Sequence, residues 1–364
     1  MSGLMMNRQL TITSLMEHAR KFHGDAGIVS VTADEPLHRC TYREAFARSA
    51  RLANALARLG IRPGERIGTL AWNDYRHLEV YFATACAGFV CHTINPRLFP
   101  EQIEYIVGHA EDRWIFVDPA FVPMLEALKD RLGCVEGYVI LGPAGSAANT
   151  SLRNAIDYET LIAGEADTFD WPELDENSAC ALCYTSGTTG NPKGVVYSHR
   201  ALVLHTYGCL MPDVMNLSAR EVVMPVVPMF HVNAWSMPYG AAVVGAKLVF
   251  PGPKMGDGEM LQRLIEGEGV TVTAGVPTVW LALLTHLDRS GTGVPSLKRV
   301  IVGGSACPRA VMEAFEQKHG VHVHHAWGMT EMSPIGTFNS PSADFDTLSP
   351  EEQWAQRLRV GRPV

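Results

Sequence analysis

Charge is scarce in this chain, at 19% of 364 residues, and positive charge is the scarcer sign: 30 Lys and Arg stand against 38 Asp and Glu, a formal charge of −8. No cluster of Lys and Arg forms a stripe that could track a phosphate backbone, which argues against a nucleic-acid partner. Long apolar runs are missing too. The greasiest region, 222–251, is broken by Pro225, Pro228 and Pro238, well short of the roughly 18–20 apolar residues that cross a bilayer. The first 22 residues lack the apolar stretch and small-residue cleavage site of a secretory signal, so a cytoplasmic location is expected. The eight cysteines are scattered, not spaced as a disulfide framework, which fits a reducing compartment. Cys180 and Cys183 form a CxxC, but no second pair follows at zinc spacing, and Ala181 and Leu182 between them read as buried strand, so a structural role is expected. No fixed repeat of roughly 20–50 residues is present, which excludes a solenoid.

What is present is apolar material, 47% of residues, enough to bury a large core in two or three domains, or one large α/β core with a satellite. Thr41 followed by Glu44 is a capping box, and Phe46, Ala50, Leu52, Ala53, Leu56 and Leu59 recur at helical spacing until Gly60. Short apolar runs at 66–71, 89–94, 114–117 and 138–141 alternate with helical patterns at 77–88, 101–109 and 121–132. After polar linkers at 142–151 and 167–178 the alternation resumes, with strands near Ala181, Val195, Val222, Leu248, Val270, Val300 and Val321 and helices over 235–244, 259–268, 279–287 and 308–319. The fold class is α/β: two stacked subdomains, 1–165 and 166–364, with mostly parallel sheets covered on both faces.

One segment carries chemistry. Tyr184-Thr-Ser-Gly-Thr-Thr-Gly-Asn-Pro-Lys-Gly194 follows an apolar strand and packs Thr185, Ser186, Thr188, Thr189, Gly187, Gly190, Gly194 and Lys193 into one turn. Glycines bring backbone N–H groups against an anion, hydroxyls add donors, and lysine supplies mobile positive charge. This reads as a phosphate cradle. It is not a Walker-type P-loop, since no GxxxxGK[ST] aligns and residues 195–197 read as strand, not helix.

This segment, with Trp327-Gly-Met-Thr-Glu331 about 140 residues downstream, resembles the adenylate-forming (AMP-binding) superfamily of acyl-CoA synthetases, luciferases and peptide-synthetase adenylation domains. The stretches Pro228-Met-Phe-His-Val-Asn-Ala-Trp235 and Ala274-Gly-Val-Pro-Thr-Val-Trp280 are similar to those of medium- and long-chain fatty-acyl-CoA ligases. The resemblance runs over essentially the whole chain and implies ATP, Mg²⁺ and coenzyme A as cosubstrates or cofactor, with acyl-adenylate formation followed by transfer to CoA.

It also implies residue roles. Thr185, Ser186, Gly187, Thr188, Thr189, Gly190 and Lys193 would grip the β- and γ-phosphates of ATP. Glu331, helped by Thr185, would hold Mg²⁺ through hard oxygen ligands. Thr330 would reach the α-phosphate. Gly303, Gly304, Ser305 and Ala306 would form an adenine wall, and the stretch His325, Ala326, Trp327, Gly328, Met329 would complete it, with Trp327 stacking where the family usually has Tyr. His231 would lie beside the acyl carboxylate. Trp235 would gate the acyl tunnel from a helix start, with Val232, Gly240, Gly275, Val276 and Pro277 lining the same cavity. His322 and His324 fall on one face of a strand with no third ligand in view, so a metal site there is not expected.

Between Glu221 and Asp257 there is no acidic residue that could pair with a substrate ammonium, so an uncharged acyl tail is implied, and the resemblance points to a fatty one. The family's polypeptide continues beyond Val364 into a ribose-binding Asp and a small C-terminal lobe with a catalytic Lys. The expectation is therefore a large N-terminal domain without that lobe, weakly active alone, and homodimeric by analogy. Two alternatives stand beside it: a catalytically deficient nucleotide- and acyl-binding truncation, or an adenylating enzyme with another acyl acceptor.

Overall fold

The computed structural model describes residues 3, 5–185 and 190–364. Sixteen strands run along them: β1 (Gly27–Ser30), β2 (His38–Thr41), β3 (Arg66–Leu70), β4 (Val90–Thr93), β5 (Trp114–Val117), β6 (Gly137–Ile140), β7 (Ile156–Asp157), β8 (Ala179–Tyr184), β9 (Gly194–Ser198), β10 (Val222–Pro225), β11 (Lys247–Phe250), β12 (Val272–Gly275), β13 (Arg299–Val302), β14 (His322–Gly328), β15 (Ile335–Phe338) and β16 (Arg362–Pro363). They form a seven-stranded sheet, order β7-β6-β5-β3-β4-β8-β9, and a nine-stranded sheet, order β16-β15-β14-β13-β12-β10-β11-β1-β2. All pairs are parallel except β1–β2, β8–β9, β14–β15 and β15–β16. The strands β4, β5 and β12 are wholly buried, as parallel strands covered on both faces are; β5, Trp-Ile-Phe-Val, is apolar throughout, while β4 and β12 bury His92, Thr93 and Thr273 as well.

The expected division at residue 165 is not where the sheets divide. Strands β1 and β2 belong to the nine-stranded sheet although they precede that point, and β8 and β9 complete the seven-stranded sheet although they follow it. Pairing decides this: Ile28 sits beside Leu248 in register, and Cys91 beside Ala181. One apolar cluster binds the sheets together, running from Ile12 and Phe46 through Phe82 and Tyr197 to Trp235 and Ile301.

The Thr41 capping box is present and opens the helix Tyr42–Arg58, which buries Phe46, Leu52 and Leu56. The expected helix over 235–244 begins instead at Met237. Trp235 lies one turn earlier, in Val232–Ser236, where five consecutive non-glycine residues have φ between 44° and 58°. Left-handed backbone of this kind costs of order 1 kcal/mol or more per residue and persists only where packing over-determines it. All five residues of the turn are buried. Among the described residues all eight cysteines are free; Cys180 lies against the Tyr197 carbonyl and Cys183 against the Thr93 hydroxyl, so the CxxC pair is spent on different neighbours. No helix among the described residues is long and apolar enough to cross a membrane.

Candidate active site

The hairpin β8–β9 places Thr185 and Lys193 opposite each other, with the Thr185 N–H donating to the Lys193 carbonyl at 2.9 Å. Ser186, Gly187, Thr188 and Thr189, expected to hold phosphate, lie outside the described residues. The strand β14 ends in Trp327 and Gly328, and the turn Thr330–Met332 presents Glu331. Both groups line one cavity of about 570 Å³. The two sequence motifs thus face one crevice. Lys193 and Glu331 have no ion-pair partner among the described residues and are exposed at its mouth.

The remaining wall comes from loops at the carboxyl ends of β10, β12 and β13. His231, Val232, Trp235, Val276, Gly303 and Gly304 contribute to it, as do Ala326 and Met329. His231 keeps an exposed surface toward the cavity, yet the desolvation imposed by the surrounding walls, followed by the positive charge of Arg97, holds its pKa below the ordinary imidazole value. A neutral imidazole is thus the resting form near pH 7. Gly303 permits a close approach: a Cβ there would stand 2.6 Å from Trp235 Cη2 and 3.1 Å from the Ala326 carbonyl oxygen.

Other expected residues lie elsewhere. Gly240 packs the helix Met237–Val244 against Leu210 and Leu217, and the space beside Gly275 is filled by the Trp280 ring, 2.7 Å from an added Cβ. Both glycines serve packing and do not line the cavity. Pro277 opens the buried start of the helix Pro277–Ser290. Gly190, Ser305 and Ala306 are exposed beyond the cavity wall. His325 points its Nδ1 at the Leu358 carbonyl, 3.4 Å away, beside the end of the Pro350–Arg357 helix, and its ring also lies against the Ser305 backbone; it is not among the residues lining the cavity. His322 and His324 touch edge to face at 4.5 Å; His322 Nδ1 meets Glu316 and His324 Nδ1 meets the Asn339 carbonyl.

Sequence reasoning missed Val227, Pro228, Pro334 and Ile335 in the wall. It also missed Asn73. This buried amide donates to the carbonyls of Pro225 (2.9 Å) and Val227 (2.8 Å) and accepts from the Met229 N–H (2.6 Å), while the Tyr81 hydroxyl donates to the Met229 carbonyl. Together they pin the strand end that delivers His231. An Asn directly after Ala71-Trp72 carries no pattern that distinguishes it from a turn residue.

The AMP-binding enzyme family matches residues 15–364. The chain belongs to that family. It is 51% identical over 363 residues to a 3-methylmercaptopropionyl-CoA ligase of Ruegeria lacuscaerulensis, covering 100% of this chain and 67% of that protein. It is equally 51% identical to a medium-chain-fatty-acid–CoA ligase of Ectopseudomonas oleovorans, covering 100% of this chain and 66% of that one. The fold of an anthranilate CoA ligase solved with anthranoyl-AMP superposes with a TM-score of 0.84 at 23% identity, over 97% of this chain and 64% of that one. This AMP-binding chain thus has the adenylate-forming fold and spans about two thirds of the length of the relatives it matches.

Proposed function

We propose that this AMP-binding chain activates a carboxylic acid with ATP to an acyl-adenylate, which is then passed to CoA as an acyl-CoA. The observation that carries the reading is that Thr185 and Lys193 line one cavity with Trp327, Thr330 and Glu331. A carboxylate is a poor electrophile, and joining it to AMP supplies a leaving group. Lys193 and Thr185 would hold the β- and γ-phosphates, and Thr330 the α-phosphate, so the protein contributes positioning and charge neutralisation. The Glu331 carboxylate and Thr185 hydroxyl are hard oxygen donors facing the same cavity and fit Mg²⁺. When bound there, that ion would supply further positive charge at the phosphates. Gly303 and Gly304 would let adenine approach the backbone, with the half-exposed Trp327 ring as its stacking partner.

Neutral His231 would lie beside the acid's carboxylate. Val227, Val232, Trp235, Val276 and Ile335 make that side of the cavity apolar, and no acidic residue occurs between Glu221 and Asp257. We infer an acid with an uncharged tail, a fatty acid or a short thioether acid, the classes that the two relatives' names carry. The span of two thirds keeps a second reading in play, in which this chain alone binds nucleotide and acid but turns over slowly. Incubation with ATP, Mg²⁺, a panel of acids and either CoA or a carrier protein decides between them. Acid-dependent pyrophosphate release with a CoA thioester as product is expected, and release independent of every acid would defeat the proposal.

A further inference from the structure

The loop between β14 and β15 carries Thr330 and Glu331, and internally it has few bonds: the Met329 N–H donates to the Pro334 carbonyl at 3.0 Å, the Met332 N–H to the Met329 carbonyl at 2.9 Å, and the Ser333 N–H, at a longer 3.4 Å, to the Thr330 carbonyl. Two side chains hold it from outside. The Tyr197 hydroxyl, in β9, donates to the Thr330 carbonyl. That ring is 3% exposed, and burial, with smaller contributions from Cys183 and Glu331, raises its phenol well above the ordinary value, so it remains a donor. Eight residues further on, in the helix His199–Leu210, His205 Nε2 accepts from the Ile335 N–H at 3.0 Å. A main-chain donor fixes the tautomer: Nε2 must be bare, and Nδ1 carries the hydrogen that goes to Ser236 Oγ at 2.9 Å.

Both struts rise from the chain that leaves the phosphate hairpin, since β9 starts at Gly194, the residue after Lys193. Neither side chain lines the cavity. We propose that Tyr197 and His205 are positioning residues that set Thr330 and Glu331 at working distance from Thr185 and Lys193, an inference resting on the nucleotide reading above. One strut grips the loop at its phosphate-facing turn and the other at its exit, so the two motifs, separated by about 140 residues of sequence, behave as one rigid clamp. Pre-organisation of this kind matters because a displacement of about 1 Å can cost about a hundredfold in rate.

Calorimetric titration of adenosine and of MgATP tests it, because adenosine has no phosphate for the clamp to hold. Tyr197→Phe keeps the ring and removes only the strut. It is expected to leave adenosine affinity within about twofold and to weaken MgATP about tenfold, or about 1.4 kcal/mol. His205→Leu is expected to act in the same sense, and His205→Gln to recover most of the loss, since its amide oxygen can accept from the Ile335 N–H. Equal weakening of both ligands in Tyr197→Phe would mark general loosening and overturn the proposal, as would unchanged MgATP affinity. If the unaltered chain binds neither ligand, the nucleotide reading itself falls and takes the clamp with it.

Discussion

The indole of Trp235 rests on Gly303, close enough that a single added carbon would stand 2.6 Å from its Cη2. One residue belongs to the left-handed turn on the acid side of the cavity, the other to the glycine pair after β13. The acid side and the proposed adenine wall are therefore in direct contact through one ring and one missing side chain.

Gly303→Ala is expected to force that ring aside, because the new methyl also meets the Ala326 carbonyl at 3.1 Å and backbone cannot yield. Acid-dependent pyrophosphate release should fall by about tenfold, an order set by the cost of small misplacements at a reacting centre. Adding Trp235→Ala should restore much of it. Independent, additive losses in the double variant would show that the contact has no such consequence.

Asn73→Ala should be costly although it touches no substrate. It orphans two buried carbonyls and one N–H, each worth about 1–3 kcal/mol when left without a partner. A loss of at least about 3 kcal/mol in denaturant unfolding is expected, together with weakened acid binding from a displaced His231. A variant as stable as its parent would contradict the pinning role.

Asp74 caps the helix Tyr75–Cys86 by accepting from the His77 N–H at 2.8 Å, yet complete burial pushes its carboxyl up to about 7. Its folded value lies above the unfolded one, so between roughly pH 4 and 7 the folded protein holds a proton that the unfolded chain has released. Stability is thus lost as pH rises through that window, and the deficit is complete above it. Asp74→Asn keeps a capping oxygen without the charge. It should be more stable than the parent at pH 8, by about 2 kcal/mol or more, with the difference vanishing near pH 4. Thermal unfolding of both proteins across that range measures it.

Lys193→Met and Glu331→Gln remove the two uncompensated charges at the cavity mouth. Each is expected to slow acyl-adenylate formation by about a hundredfold, as deletion of one charge-stabilising group does elsewhere. Melting temperatures should hardly move, since both side chains are exposed and without ion-pair partners among the described residues. Full activity in either variant would remove that residue from the phosphate site.

Much of the fold was legible because parallel strands buried on both faces leave short, largely apolar runs between helical patterns: the expected strands at 66–71, 89–94 and 114–117 match β3, β4 and β5 within a residue or two. The helix His199–Leu210 escaped notice because Leu204 and Tyr207 are apolar on its exposed side and blur the periodicity. The strands β1 and β2 are four residues long, and although they pair with each other, β1 joins its sheet through β11, which lies far away in sequence. At the site, hydroxyls, glycines and lysine announce an anion by type alone, so Thr185 and Lys193 could be read directly, whereas Trp327 and Glu331 are reached only through the family resemblance. Gly240 and Gly275 could not be placed, because smallness next to a ligand and smallness next to Leu210 or Trp280 look identical in a string of letters. The left-handed turn at Val232–Ser236 contains no glycine, and nothing local signals it.

The exchange of strands across residue 165 has a practical corollary for anyone dissecting this molecule. A cut at that linker would leave the leading fragment without its last two ribbons, β8 and β9, and the trailing fragment without β1 and β2, each exposing a raw sheet border prone to stick to its neighbours. Recovering native material from such pieces calls for their production side by side in one cell, so that each mends the other's torn margin as it emerges.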